Sequence, residues 1–175
     1  MREFESFLCP YLLSDIEDDL ASKISSGIAP GVDRGKWDPS LWQGLRGSCF
    51  SFKLDKGLNH RLTKYIRNEV EVTPFKGLGA SFHVWEPHSG INWHPDPIYA
   101  WGATIYLNKI WKHEYGGIFQ WTAGDVNDES GIVHEVLPRY NLMVLNDEQQ
   151  MHMVTPVSTK AIEYRTTLQL FAIKQ

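Results

Sequence analysis

His94 and Asp96 flank a single proline, and His152 and then Arg165 follow far downstream. Two imidazoles and one carboxylate that meet in space form a facial triad, which holds Fe(II) by one face and leaves the opposite positions open for a cosubstrate and oxygen. In an extended segment, residues two apart point to the same side, so His94 and Asp96 can reach one ion. His152 would supply the third ligand. The plain alternative is a surface turn in which His-Pro-Asp caps a loop. A second alternative is a catalytic zinc on the same three side chains. It would also require an ionisable general base, for which Glu86 and Glu148 are nominees by guesswork alone. Arg165 offers a planar guanidinium that can make two parallel charge-assisted bonds to a carboxylate; its plain alternative is a surface ion pair.

These side chains must be carried by elements that bring them together. Ser14-Asp15-Ile16-Glu17 reads as a capping box opening a helix. Ile16, Leu20 and Ile24 then form its apolar stripe, and Gly27 is its stop. The stretch 30–47 is a Gly/Pro-rich loop carrying Trp37 and Trp42. Phe50, Phe52 and Leu54 alternate as a half-buried strand, and Leu58, Leu62 and Ile66 mark a second helix. From Pro74 onward, short β-like stretches alternate with turn residues. Two helices followed by many short strands predict a mainly β chain. The expected fold is a double-stranded β-helix (a small jelly roll), buttressed by two helices in the N-terminal half. The 175 residues fit a single domain, with the buttress over about 1–72 and the jelly-roll core over about 73–175.

Strand parity bears on the interior. Arg165, Thr167 and Gln169 share one face of their strand, opposite Leu168 and Leu170. Thr104, Tyr106 and Asn108 likewise lie opposite Ile105 and Leu107. Polar rows turned into a small barrel need partners, which a bound dicarboxylate would supply.

From Ser81 to Phe171 the chain resembles the Fe(II)/2-oxoglutarate-dependent oxygenases, in particular their prolyl-4-hydroxylase-like branch. The blocks that carry the resemblance occur in the family's order. They are Ser81-Phe82-His83-Val84-Trp85, His94-Pro95-Asp96, Thr104-Ile105-Tyr106-Leu107-Asn108 with Trp111, Gly116-Gly117, Val136-Leu137-Pro138, Asn141 to Leu145, His152 to Val157, and Arg165-Thr166-Thr167-Leu168. The resemblance implies an Fe(II) enzyme that couples decarboxylation of 2-oxoglutarate to succinate with hydroxylation of an unactivated C–H. The substrate would be a prolyl residue, an amino acid or a small metabolite. His94, Asp96 and His152 would be both metal ligands and catalytic residues. Arg165 and Tyr106 would hold the distal carboxylate of 2-oxoglutarate, with a hydroxyl added by Thr167, and ascorbate is a candidate reductant. Related halogenases lack the carboxylate found here as Asp96, so its presence favours hydroxylation. The chain departs from the family at Trp85-Glu86-Pro87, where relatives often place a cosubstrate-contacting tyrosine, and at Phe171, where they often have tryptophan. Two rival classes are a cupin-like divalent-metal isomerase or hydrolase that does not use 2-oxoglutarate, and a non-catalytic jelly-roll binding domain.

Composition narrows the partners. A net charge of -4 with no Lys/Arg block argues against a nucleic-acid substrate. That leaves a small-molecule or peptide substrate, and nothing in the chain signals an oligomeric state. Cys9 and Cys49 form no ligand motif and read as free thiols of a reducing cytoplasm. With neither a membrane-spanning apolar run nor a signal-peptide core at the N-terminus, a cytoplasmic location is expected. His60, His83, His88, His113 and His134 read as packed or solvated, and Trp93, Trp101, Trp111 and Trp121 as mostly core aromatics. Trp37 and Trp42 are candidates for a lid over the barrel mouth, and Asn92 and Trp93 for substrate contacts.

Overall fold

A computed structural model describes residues 1–26, 31–32 (backbone only), 38–122, 132–147 and 149–175. Gly27, Trp37 and Glu148 lie outside the described residues, so the helix stop, one half of the tryptophan lid and one candidate base are left with the sequence. The strands are β1 (Arg2–Phe4), β2 (Gly31–Val32), β3 (Cys49–Lys53), β4 (Gly77–Trp85), β5 (Ile91–His94), β6 (Tyr99–Tyr106), β7 (Phe119–Thr122), β8 (Val133–Val136), β9 (Met143–Asp147), β10 (Met151–Val154) and β11 (Arg165–Ile173). The helices are α1 (Pro10–Ser25) and α2 (Lys56–Glu69). A seven-stranded sheet runs β1-β9-β6-β11-β4-β3-β2 and faces a four-stranded sheet β5-β10-β7-β8. Their neighbouring strands are antiparallel. The result is the expected jelly roll with two helices outside it. The N-terminal half is more than a helical buttress, because it also supplies β1, β2 and β3 to the large sheet.

Alternation along β11 splits the interior into two cores. Leu168, Leu170 and Ala172 face outward, joining Ile105, Leu62, Ile66 and Ile16 in a cluster between the large sheet and the helices. The opposite face looks into the barrel, where Trp85, Tyr106, Phe119, Leu142 and Val144 form the second cluster. The helices thus pack on the outer face of the sheet, which frees the other face to carry chemistry.

Two local readings need correction. Helix α1 begins at Pro10, not at Ser14. Proline at the first helical turn has a pre-set φ and loses no bond, since its amide would be unpaired there. The buried stripe consequently starts with Leu12, Leu13 and Ile16, and Ile24 is 58% exposed. Trp42 is no lid residue. It ends a short 3-10 turn, Pro39–Trp42, and is 6% exposed within the barrel core. Helix α2 follows its pattern, with the Asp55 carboxylate accepting from the amides of Gly57 and Leu58.

Candidate metal centre and carboxylate pocket

Pairing of β5 with β10 sets His94 directly opposite His152. Their rings lie 4.3 Å apart, and His152 Nε2 is 3.5 Å from Asp96 Oδ2. One donor atom from each of His94, Asp96 and His152 falls within 4.8 Å of the others. Both imidazoles are oriented by the backbone: His94 Nδ1 is 2.7 Å from the carbonyl of Asn92, and His152 Nδ1 is 2.8 Å from that of Gln150. A proton on each Nδ1 leaves each Nε2 lone pair directed at the shared space, the tautomer a metal ligand needs. Phe119 stacks on His152 at 5.3 Å. Burial, reinforced by the neighbouring His94 and only partly opposed by Asp96, holds the His152 imidazole down at about 4, so it is neutral and available as a donor.

The inner face of the large sheet carries a polar ladder below this cluster. Arg165 is paired with Trp85; Thr167 with His83 and Tyr106; Gln169 with Ser81 and Thr104; Phe171 with Gly79 and Gly102. Arg165 is 1% exposed, and its Nε donates to the carbonyl of Gly117 at 2.8 Å. Its guanidinium carbon sits 5.5 Å from the Trp85 ring and 5.2 Å from the Tyr106 ring. Gly117 is required at its position. Its φ is +62°, and a Cβ there would lie 2.5 Å from Arg165 Cδ. The second half of the Gly116-Gly117 pair thus makes room for the arginine.

Three polar atoms of this floor are buried with no hydrogen-bond partner: Arg165 Nη2, the Tyr106 hydroxyl and the Thr167 hydroxyl. Tyr106 is close enough to feel the arginine's charge, but the two make no hydrogen bond of acceptable geometry. Burial lowers the affinity of Arg165 for its proton and raises that of Tyr106. No carboxylate pairs with Arg165 among the described residues. Orphaned donors of this kind are costly, each on the order of 1–3 kcal/mol and more when charged, unless a ligand satisfies them. A carboxylate fits this donor set.

The cluster opens into a cleft of about 760 Å³. Its walls include Trp93, Ile98, Tyr99 and Phe171 on one side and Asp38, Ser40 and Leu41 of the 3-10 segment on the other. Asn92 does not face the cleft as a contact residue; its amide donates to the carbonyls of Ser40 and Gln43 and fastens that segment to β5. Asn108 leaves the polar row, bonding the carbonyl of Tyr164 and the amide of Thr166 beyond the end of β6. Conversely, His83 is buried, lines the cleft and lies 3.3 Å from the Ser81 hydroxyl. It lines the cleft, although its sequence context reads as that of a packed or solvated histidine. The signal was the alternation Ser81, His83, Trp85 along one strand, which puts them on the face that β11 presents as Arg165, Thr167 and Gln169. His113, in the 3-10 turn His113–Tyr115, and His134, on β8, are exposed, and His60 is exposed on α2.

No family model matches the chain, and no curated protein matches it by sequence. Solved structures do. A prolyl-4-hydroxylase from Pseudomonas putida superposes with a TM-score of 0.70 at 15% identity, over 99% of this chain and 92% of its own. A prolyl hydroxylase from Trichoplax adhaerens, solved with a peptide fragment of the hypoxia inducible factor oxygen degradation domain, gives 0.67 at 15%, over 99% and 83%. The chain has the 2-oxoglutarate/Fe(II) oxygenase fold. A non-heme alpha ketoglutarate dependent epimerase from nogalamycin biosynthesis shares it too, with a TM-score of 0.64 at 10% identity over 98% of this chain and 76% of its own. The fold alone therefore leaves the outcome of the reaction to the site.

Proposed function

We propose that this chain is a non-haem Fe(II)/2-oxoglutarate-dependent dioxygenase that hydroxylates an unactivated C–H of a prolyl residue, an amino acid or a small metabolite. The observation that carries the reading is the buried, unpaired Arg165 on the same barrel face as the His94, Asp96 and His152 cluster. A buried cation with an orphaned Nη2 calls for an anionic ligand, and the distal carboxylate of 2-oxoglutarate would supply one. Fe(II) with 2-oxoglutarate supplies the activation of oxygen, and the protein supplies position and dryness.

In this reading His94, Asp96 and His152 are the catalytic metal ligands. The carbonyls of Asn92 and Gln150 hold their imidazoles in the donor tautomer, and Phe119 screens His152 from water. The Arg165 fork and the Tyr106 and Thr167 hydroxyls take the distal carboxylate of the cosubstrate. Trp85, in the segment that departs from the family pattern, packs against the Arg165 guanidinium and stiffens it. The apolar wall of Trp93, Ile98, Tyr99 and Phe171 suits a peptide or small-molecule substrate. Among the described residues lining the cleft there is no lysine or arginine, which supports a substrate other than nucleic acid. Ascorbate is assigned only as a candidate reductant, and the cytoplasm as the candidate location. Among the described residues no helix is long and apolar enough to cross a membrane.

The test is succinate formation from 2-oxoglutarate with Fe(II), screened against amino acids and proline-containing peptides. Turnover stimulated by one of these, and lost in Asp96→Ala, is expected. Absence of 2-oxoglutarate binding in the presence of Fe(II) would overturn the proposal.

A further inference from the structure

Asn146 lies on β9, where its Cα pairs with Gly102 of β6. It is 2% exposed, yet its Nδ2 has no hydrogen-bond partner. Gly102 shows what the carboxamide faces. A Cβ built on Gly102 would lie 3.1 Å from Asn146 Nδ2, 3.2 Å from Asn146 Oδ1 and 3.2 Å from Asp96 Oδ2. The amide and the carboxylate therefore both approach the backbone of residue 102, so closely that a Cβ there would crowd them. Among the described residues, the side-chain donor beside Asp96 Oδ2 is His152 Nε2, at 3.5 Å. A buried carboxamide with an orphaned donor costs stability, and an oxygen-bearing ligand beside Asp96 would relieve that cost.

We propose that Asn146 is a positioning residue of the metal centre: its carboxamide donates to an oxygen held beside Asp96, and Gly102 keeps the space for that contact. This rests on the assignment of His94, Asp96 and His152 as metal ligands. The oxygen belongs either to water accompanying the metal or to the cosubstrate's carboxylate. Partners that orient a metal's ligands typically change affinity by about 10- to 100-fold when removed.

The experiment is anaerobic titration of the full chain with Mn(II), a redox-silent probe, with and without 2-oxoglutarate, alongside melting of the metal-free protein. Asn146→Leu and Gly102→Ala are compared with wild type and with Asp96→Ala. Asn146→Leu is expected to lose about 10-fold or more in affinity, either for Mn(II) alone or for 2-oxoglutarate in the presence of Mn(II), with the metal-free melting temperature unchanged or raised because an orphaned donor is gone. Gly102→Ala, whose added Cβ would crowd both Asn146 and Asp96, is expected to weaken the same affinity. If the oxygen belongs to water, the loss shows with Mn(II) alone; if it belongs to the cosubstrate, it shows only in the 2-oxoglutarate titration. A purely structural asparagine gives the opposite pattern, with a lower metal-free melting temperature and both affinities intact, and that result overturns the proposal. Should Asn146→Leu fail to fold, Asn146→Ala and Gly102→Ala carry the test. Mn(II) binding that survives Asp96→Ala would instead refute the metal centre itself, so the two failures are distinguishable.

Discussion

Replacing Arg165 separates what this residue does for the fold from what it does for the ligand. Its guanidinium is buried between Trp85 and Tyr106 with one bond, to the Gly117 carbonyl, and an unpartnered Nη2. Truncation to methionine keeps most of the volume and forfeits that one bond, worth about 0.5–1.5 kcal/mol. It also removes a buried cation without a counter-charge, whose penalty is on the order of several kcal/mol. The second effect is larger, so Arg165→Met is expected to melt at the same temperature as the ligand-free wild type or higher. Binding moves the other way. A charge-assisted pair is worth roughly 1.5–3 kcal/mol, on the order of 10- to 100-fold in 2-oxoglutarate affinity. At a concentration 100 times the wild-type Kd, 2-oxoglutarate stabilises wild type by about 2.7 kcal/mol, and a 100-fold weaker variant by only about 0.4 kcal/mol. Arg165→Ala should show the same loss of affinity with a lower melting temperature, because it opens a cavity. Arg165→Lys should recover part of the affinity, since a point charge cannot reproduce the fork. The assay is thermal melting with Mn(II), with and without 2-oxoglutarate, beside direct titration. Equal 2-oxoglutarate affinity in wild type and Arg165→Met would refute the carboxylate pocket.

Fe(II) and 2-oxoglutarate added together without oxygen should give a visible metal-to-ligand charge-transfer band that His152→Ala and Asp96→Ala abolish; an unchanged band in both variants removes them from the metal site. Trp42→Ala should cost roughly 3–5 kcal/mol in denaturant unfolding, as for a core tryptophan, and lower hydroxylation and uncoupled 2-oxoglutarate turnover together. Intact stability with only hydroxylation lost would restore a lid role for this residue. The metal-free protein should lose stability as pH falls from the ordinary imidazole value of 6.5 towards about 4, the value to which burial and His94 depress His152. In that window the unfolded chain binds a proton that the folded chain refuses, so stability rises with pH, by on the order of 3 kcal/mol across it. Unfolding curves for His152→Gln should be flatter over this range, and an identical slope in the variant would count against the assignment.

The chemistry-bearing side chains were legible because strand geometry is local. Side chains alternate strictly along an extended chain, so the polar row Arg165, Thr167, Gln169 and the apolar row Leu168, Leu170 could be told apart before any partner strand was known. The same rule applied to Ser81, His83 and Trp85 would have placed His83 inside the site. A histidine outside the ligand positions reads equally well as packed or solvated, and only the pairing of its strand with β11 distinguishes the two. Asn108 shows the limit of parity, because the strand ends before it and its amide is captured by Tyr164 and Thr166. The start of α1 differs from its sequence pattern for another reason: a capping-box pattern at Ser14 competes with Pro10, and the proline together with burial of Leu12 and Leu13 prevails.

By itself the sequence determined the residue types of the candidate metal centre, the arginine on the same barrel face, the mainly β architecture and the two helices. All of these rest on composition, on short-range periodicity or on motifs whose order survives divergence. Tertiary structure alone decided which partner each strand received. The pairing of His94 with His152, the stacking of Trp85 and Tyr106 about Arg165, the inward turn of Trp42 and the convergence of Asn146 and Asp96 over Gly102 all depend on it. The physical reason is that a residue's face follows from its own strand, but its neighbours across the barrel follow from register between segments distant in sequence. Hydrogen-bonded ladders and shared burial set that register, and no local pattern encodes it.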